Sequence, residues 1–484
     1  MVTDTLRLFT RPHHVLVGYI ALVFLLGGGA RDDIASLVVL RPLALVVLGY
    51  ALVIADAERM RANRGFLLLA GAWVALVASH LIPLPPGIWQ ALPGRELAVE
   101  IDHAAGLGDP WRPLSLVPHR TLNALFALSV PLAALVLAVN CSREGLRQSV
   151  YVLLALALVG AVLSLLQVIG GPGNPFYFYR VTNADSAVGL FANRNHNAVF
   201  LALAIVMLGA LHVLRRPPRE LQGSWALILG GTALALVPFI VITQSRAGLA
   251  LGVLALGAWY WLQRGGSAQT ASRRGRAPLV NPLVIAVGVG AVALAAMTWL
   301  FTAGNALERL TRDGGADDEL RLRIWPTTVE LAAQHFPFGS GIGSFVEVYE
   351  VAEASSTLGT SYINHAHNDW LELAMTGGLP SVLLVAAGVL WVLLKGIRGF
   401  AGASPADRTL RRLGWIVIGV FAVASLYDYP LRTPALATVF ILALVWIAGR
   451  APETSPEASP ASRPDHDSQS GEYTPQHGTP QQGV

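Results

Sequence analysis

Two histidines stand in Asn364-His365-Ala366-His367-Asn368-Asp369-Trp370-Leu371-Glu372, just before a long apolar stretch. An imidazole titrates near neutral pH and suits removal of a proton from a hydroxyl. A carboxylate such as Asp369 or Glu372 could orient it or raise its basicity. His365 and His367 are two apart, so on a helix they would not share a face, and no cysteine lies nearby. The spacing therefore disfavours a metal site. The plainer alternative is a histidine capping the next helix. Arg246, in Thr243-Gln244-Ser245-Arg246-Ala247-Gly248, sits at the tip of a tight hairpin between two apolar runs with almost no other polar residue. A guanidinium stays charged and presents a fork of donors suited to phosphate oxygens. Its alternative is an arginine snorkelling to the membrane interface.

Other polar groups gather at similar boundaries. Phe191-Ala192-Asn193-Arg194-Asn195-His196-Asn197 opens an apolar run. Asn193 and Asn195 can cap that helix, while Arg194 could meet an anion at its N-terminus; both readings stay open. Arg321-Leu322-Arg323 lie on an amphipathic segment, either as a solvated face paired with Asp317 or Glu319 or as ligands for charge. Phe338-Gly339-Ser340-Gly341-Ile342-Gly343-Ser344-Phe345 follows no strand, so it is not a dinucleotide-binding turn; backbone N–H groups lining a cavity are the modest alternative. Arg41 falls within or at the edge of an apolar run, and Asp428 with Arg432 occupies Tyr427-Asp428-Tyr429-Pro430-Leu431-Arg432. Charges at such depth tend to face cavities and find partners, and an Asp428–Arg432 ion pair is the simplest expectation.

The elements that position these residues follow from composition. Of 484 residues, 54% are hydrophobic and 13% charged, about half the charge of a soluble domain. Soluble multidomain architectures and bulk disorder are both excluded, and the single Cys141 rules out an intramolecular disulfide framework. Apolar runs of about 20 residues lie near 15–30, 34–55, 66–82, 121–139, 149–169, 196–214, 224–243, 247–262, 281–301, 368–394, 412–427 and 433–449. The first has no convincing cleavage site after it and is expected to stay as a helix. With the N-terminus inside, alternate loops collect Arg59, Arg61 and Arg64, then Arg143 and Arg147, then Arg215, Arg216 and Arg219, then Arg273, Arg274 and Arg276, then Arg408, Arg411 and Arg412. Basic loops stay inside, so both termini are expected in the cytoplasm. The outer side receives a Pro-rich, irregular segment at 83–120, a Gly/Pro/aromatic segment at 170–195, and the largest loop, 302–367. In that loop Asp317-Asp318-Glu319 starts an amphipathic helix running to Gln334, which Pro326 is expected to kink or restart. Residues 451–484 lack an apolar period and are expected to be disordered. The expected fold is thus all-α: a polytopic integral membrane protein of about twelve transmembrane helices over 1–450, with a disordered C-terminal tail.

In combination, the motifs resemble the bacterial O-antigen ligase and O-antigen polymerase superfamily. The likeness rests on Gly189-Leu190-Phe191-Ala192-Asn193-Arg194-Asn195-His196 and Gln244-Ser245-Arg246-Ala247-Gly248. It continues through Arg323-Ile324-Trp325, Pro337-Phe338-Gly339-Ser340-Gly341-Ile342-Gly343-Ser344-Phe345, His365-Ala366-His367-Asn368, Leu371-Glu372-Leu373 and Gly377-Gly378-Leu379. It covers about residues 185–395 plus the Asp428 turn. Where the family often has proline before asparagine, this chain has Arg194.

The resemblance implies an inner-membrane glycosyltransferase working at the periplasmic face without metal or other cofactor. Its donor would be a glycan on undecaprenyl pyrophosphate. The acceptor would be a sugar hydroxyl on lipid A-core, another lipid-linked glycan or protein, and no nucleic acid is involved. The family's essential arginine maps onto Arg246 and its essential histidine onto His367. Arg194, Arg323, Asn195, His365, Arg41 and Asp428 are the remaining candidates for holding diphosphate or glycan. Physical chemistry converges on the same roles: a departing diphosphate needs fixed cations where charge develops, and an acceptor hydroxyl needs a base. Two other classes compete. A transporter or flippase of lipid-linked glycans would be expected to carry repeated halves and midplane charges, and no repeated half is visible here. A non-catalytic component of a polysaccharide export system would tolerate loss of both Arg246 and His367.

Overall fold

The computed structural model describes residues 11–215, 217–267, 316–355, 358, 362–398 and 403–449, all within one unit running over Met1–Arg450. The expected span 281–301, the loop's first residues and the tail 451–484 lie outside the described residues.

The chain is helical almost throughout. The first part holds α1 (Pro12–Leu26), α2 (Leu37–Val53), α3 (Ala57–Ala62) and α4 (Arg64–Ser79), then the short α5 (Pro86–Trp89) and α6 (Glu96–Ala104). Next come α7 (Pro118–Ala127), α8 (Ser129–Asn140), α9 (Arg143–Gly170), α10 (Arg194–Leu214), α11 (Gln222–Ile242) and α12 (Arg246–Ser267). The last part holds α13 (Ala316–Gln334), α14 (Phe345–Ala352), α15 (Asp369–Arg398), α16 (Pro405–Ala424) and α17 (Pro434–Ala448). Prolines open α1, α7, α16 and α17, where a missing N–H costs nothing. Side-chain oxygens of Asp56, Ser142 and Ser404 cap α3, α9 and α16.

Every apolar stretch expected from the sequence, apart from 281–301, falls on a helix. Among the described residues, five stretches can cross a membrane by length and composition: Pro118–Asn140, Arg143–Gly170, Arg194–Leu214, Gln222–Ile242 and Asp369–Gly396. Shorter apolar helices accompany them at Pro12–Leu26, Leu37–Val53, Arg64–Ser79, Arg246–Leu262 and Pro434–Ala448. The protein is an all-helical membrane protein. At its centre is α10, buried continuously from His196 to Ala210. A helix apolar on every side has no polar face to turn to solvent and so becomes the core. It packs on α9, α11, α12 and α16. Close approach to α12 depends on small residues: a Cβ on Gly248 would lie 2.3 Å from that of Ala198, and one on Gly209 3.0 Å from the Trp259 backbone.

α13 runs through Pro326 to Gln334, so the proline does not restart the helix. One expectation needs correction. The segment 83–120 is not irregular: it holds α5, α6 and a two-residue antiparallel pair, Pro83 opposite Pro113 and Leu84 opposite Arg112. That segment clasps the glycine triplet. Leu116 N–H donates to Ser340 O, Ile342 N–H to His80 Nδ1, and Arg95 to Leu114 O and Gly339 O. On the other side Ser340 and Gly341 donate to Met375 and Thr376 carbonyls, and Leu379 N–H to Pro337 O. α15 leaves helical geometry at Gly378, φ 58°, to make this last bond. Gly341, at φ +112°, leaves no room for a Cβ, which would lie 2.3 Å from Ser115 Oγ. The triplet is thus a packing device between two backbones.

His80 is buried in this clasp and accepts a hydrogen bond, so it must be neutral.

Candidate active site

Three segments meet at one end of the bundle: the start of α10, residues 362–372 leading into α15, and the turn 425–433 between α16 and α17. Asp428 joins them. Its side chain, 4% exposed as a residue, accepts from Asn195 Nδ2 at 2.6 Å and from the Tyr429 N–H at 2.9 Å. His367 Nδ1 lies 3.7 Å and His196 Nε2 3.9 Å from Asp428 Oδ1. Burial pushes the Asp428 carboxyl up, but His196, His367 and the donated hydrogen bonds outweigh it and leave the group below the usual carboxylate range. His196 is fixed from its other nitrogen by Thr433 Oγ1 at 2.8 Å.

Tyr429 fills the space between the imidazoles. Its ring centre lies 4.3 Å from that of His365, 5.0 Å from His367 and 5.3 Å from His196. Its hydroxyl accepts from the Asn193 and Asn364 amides at 3.4 and 3.5 Å. His367 itself holds a left-handed backbone, φ 51°. A non-glycine residue there costs about 1–3 kcal/mol and persists only when its surroundings hold it. The neighbouring bonds do so: Ala366 N–H donates to Glu372 Oε2 at 3.0 Å, and Trp325 Nε1 to Ala366 O at 3.0 Å.

The partners differ from those expected. Arg432 does not pair with Asp428; it binds Asp369 at 3.2 Å and Glu372 at 3.3 Å, because the 3₁₀ turn Pro430–Arg432 points it at the first turn of α15. The carboxylate beside His367 is neither Asp369 nor Glu372 but Asp428. Glu372 takes His365 instead, with Nδ1 3.0 and 3.2 Å from its two oxygens. Asn193 caps α10 by accepting from Asn195 N–H at 2.8 Å, whereas the Asn195 side chain turns to Asp428.

Arg246 heads α12 and is exposed. Ser245 caps the helix, its Oγ accepting from Gly248 N–H at 2.9 Å, and Gln244 adopts φ 58° to turn the chain. Gly248 lies against Ala198, three residues into α10 from Asn195. The starts of α10 and α12 therefore open at the same end, and Arg246 belongs to the end that holds Asp428 and His367. Arg194 begins α10, its backbone N–H on Asn183 Oδ1 at 3.1 Å. Arg323 is exposed on α13, two residues before the Trp325 that steadies Ala366.

Arg41 belongs to a neighbouring feature, a cavity of about 660 Å³. Its polar end holds Arg41, Arg432, Asn364, His365, Asp369 and Glu372, with Arg31, Arg120 and Asn123 beside them. Its apolar wall includes Phe66, Trp73, Leu384, Trp391, Trp415 and Phe440. Along α15 the lining falls in two stretches, Asp369–Leu373 and Leu384–Leu393, on either side of the kink at Gly378. Sequence reasoning missed Tyr429, Asn123 and Arg120. The last two have a local signal, the polar residues His119, Arg120 and Asn123 at helical spacing on α7.

Asp428 is charged over a wider pH range folded than unfolded, so its contribution to stability is complete above about pH 4 and disappears as pH falls through its lower folded value. Asp428→Asn keeps an oxygen for Asn195 but loses the charge facing both histidines. We expect a melting-temperature gap between wild type and variant at pH 7 that closes below about pH 4.

No curated protein sequence matches the chain. The family model described as O-antigen ligase matches residues 231–386, a stretch that takes in the Arg246 hairpin, the glycine clasp and the His365–His367 loop. That match supports membership of the O-antigen ligase superfamily.

Proposed function

We propose that this protein moves a glycan from undecaprenyl pyrophosphate to a sugar hydroxyl, on lipid A-core, another lipid-linked glycan or protein, at the outer face of the bacterial inner membrane. About twelve spans over 1–450, cytoplasmic termini, a catalytic core at 185–395 and a separate tail at 451–484 complete the reading. The observation that carries it is the cavity. A lipid-linked diphosphate glycan has an apolar chain, a doubly charged joint and a polar head, and the cavity offers an apolar wall with arginines and the His365 imidazole at its end.

The chemistry follows from the groups present. The acceptor hydroxyl gives its proton to His367, which Asp428 orients and whose positive charge it then balances. The oxygen attacks the anomeric carbon, the bond to the diphosphate breaks, and its electron pair leaves with the lipid diphosphate. Attack opposite the leaving group inverts that carbon. Arg246, aided by Arg194 or Arg323, meets the charge that develops on the leaving group, while Asn195, Arg41 and His365 hold substrate. Ligase and polymerase share this step and differ only in acceptor.

With purified protein in detergent, where no sealed compartment exists, labelled donor and acceptor should be joined; failure there would favour transport. Arg246→Ala should lower turnover on the order of 10²–10³-fold, and His367→Ala on the order of 10²–10⁴-fold, with membrane insertion intact. Arg246→Lys should recover little, lacking the two-pronged geometry. Near-normal product from Arg246→Ala sinks the diphosphate role. In a deletion strain, bare lipid A-core beside long lipid-linked chains means ligase, and single repeat units mean polymerase.

A further inference from the structure

Two residues apart, His365 and His367 serve different sides of the same loop. His367 lies against Asp428, while His365 lines the cavity. We propose that His365 is a second catalytic residue, a proton donor to the departing diphosphate at the polar end of the cavity. This rests on the glycosyl-transfer reading and adds which imidazole meets which substrate.

The hydrogen bonds assign the nitrogens. Glu372 is 2% exposed and ionised glutamate only accepts, so with Nδ1 3.0 Å from Oε1 the proton sits on Nδ1. Nε2 is then the nitrogen left for a ligand in the cavity. Glu372 is itself anchored by the Ala366 N–H and by Arg432, so the imidazole cannot swing away without breaking that set. Among the described residues, the charged and titratable groups around His365 are Glu372 and Asp369 from α15, Arg432, Asp428 and Tyr429 from the turn, His196 from α10 and His367 from its own loop; Arg31 and Arg41 share the cavity wall. The cavity arginines differ in their partners. Arg432 binds two carboxylates, Arg31 binds Asp33, and Arg120 binds Asp32 and Glu347. Arg41 bonds the neutral amide of Asn123. Among the described residues it is the cavity arginine without a bonded carboxylate, so an anion entering along the apolar wall is drawn towards that end.

Protons and electrons balance. The acceptor oxygen bonds to the anomeric carbon and its proton goes to His367. The anomeric bond to the diphosphate breaks with its pair on the diphosphate oxygen, which takes the Nε2 proton of the His365 imidazolium. The loop finishes with His367 protonated and His365 neutral, and exchange with water restores both.

The test uses full-length protein in detergent, glycan-loaded lipid diphosphate for turnover and undecaprenyl diphosphate alone as the binding probe. In wild type, kcat should fall on the acid side as His367 protonates and on the alkaline side as His365 loses its proton. His365→Gln should lower kcat on the order of 10²–10⁴-fold, weaken binding of undecaprenyl diphosphate far less, and lose the alkaline fall while keeping the acid one. Glu372→Gln, which removes the charge favouring the imidazolium, should shift the alkaline fall to lower pH. An alkaline fall that survives His365→Gln, or a loss of kcat matched by an equal loss of binding, overturns the proposal. If His365→Gln does not fold, an unmoved alkaline fall in Glu372→Gln overturns it. A wild type that binds the probe yet joins no donor to acceptor removes the glycosyl-transfer reading and this proposal together. Normal transfer with the wrong pH profile removes this proposal alone.

Discussion

Taking a carboxylate out of water costs several kcal/mol unless cations and donors replace its hydration, and Asp369, Glu372 and Asp428 are all buried at one end of this bundle. Their partners come from distant parts of the chain: Asn195 and His196 from α10, His365 and His367 from the loop, Arg432 and Ser425 from the α16–α17 turn. None of these segments can shift without stranding a buried charge. That requirement holds the His365–His367 loop in place and keeps His367 in a left-handed backbone that an unsupported loop would leave.

The apolar body serves this end. α10 is buried along nearly its whole length, so its N-terminus is a fixed platform for Asn195 and His196. Small residues at Gly248 and Ala198 bring α12, and with it Arg246, to the same platform. The glycine clasp does similar work from the other side, tying Pro337–Gly343 to α15 just after the turn that carries Glu372. A cavity with an apolar wall reaches this polar knot, so His365 on one side of the loop lines the cavity while His367 on the other faces Asp428.

Much of the site was legible residue by residue. His367, His365, Arg246, Asn195 and Asp428 stand out because polar groups flanked by long apolar runs need a reason to be there. Their partners were not legible. Asp428 and Arg432 are four apart and look like a local pair, yet each finds its partner in α10 or α15, because the 3₁₀ turn between them turns their side chains apart. Asp369 and Glu372 are the carboxylates nearest to His367 in sequence, but Glu372 turns back to His365 and the loop carries His367 to the other side. The glycine triplet signalled close backbone approach without saying to what; only packing against Ser115 and Thr376 supplied the answer.

Hydrophobic run length and residue chemistry are properties of a linear string, so the chain alone determined that this is an all-helical membrane protein with polar groups gathered at helix starts, and its motifs carry the likeness to O-antigen ligases. Which carboxylate serves which imidazole, and which imidazole looks into the cavity, depend on long-range contacts such as the one between Asn195 and Asp428, 233 residues apart. Local pattern carries no information about such pairs. They are selected by the free energy of burying charge in the folded state, and only the tertiary structure decided them.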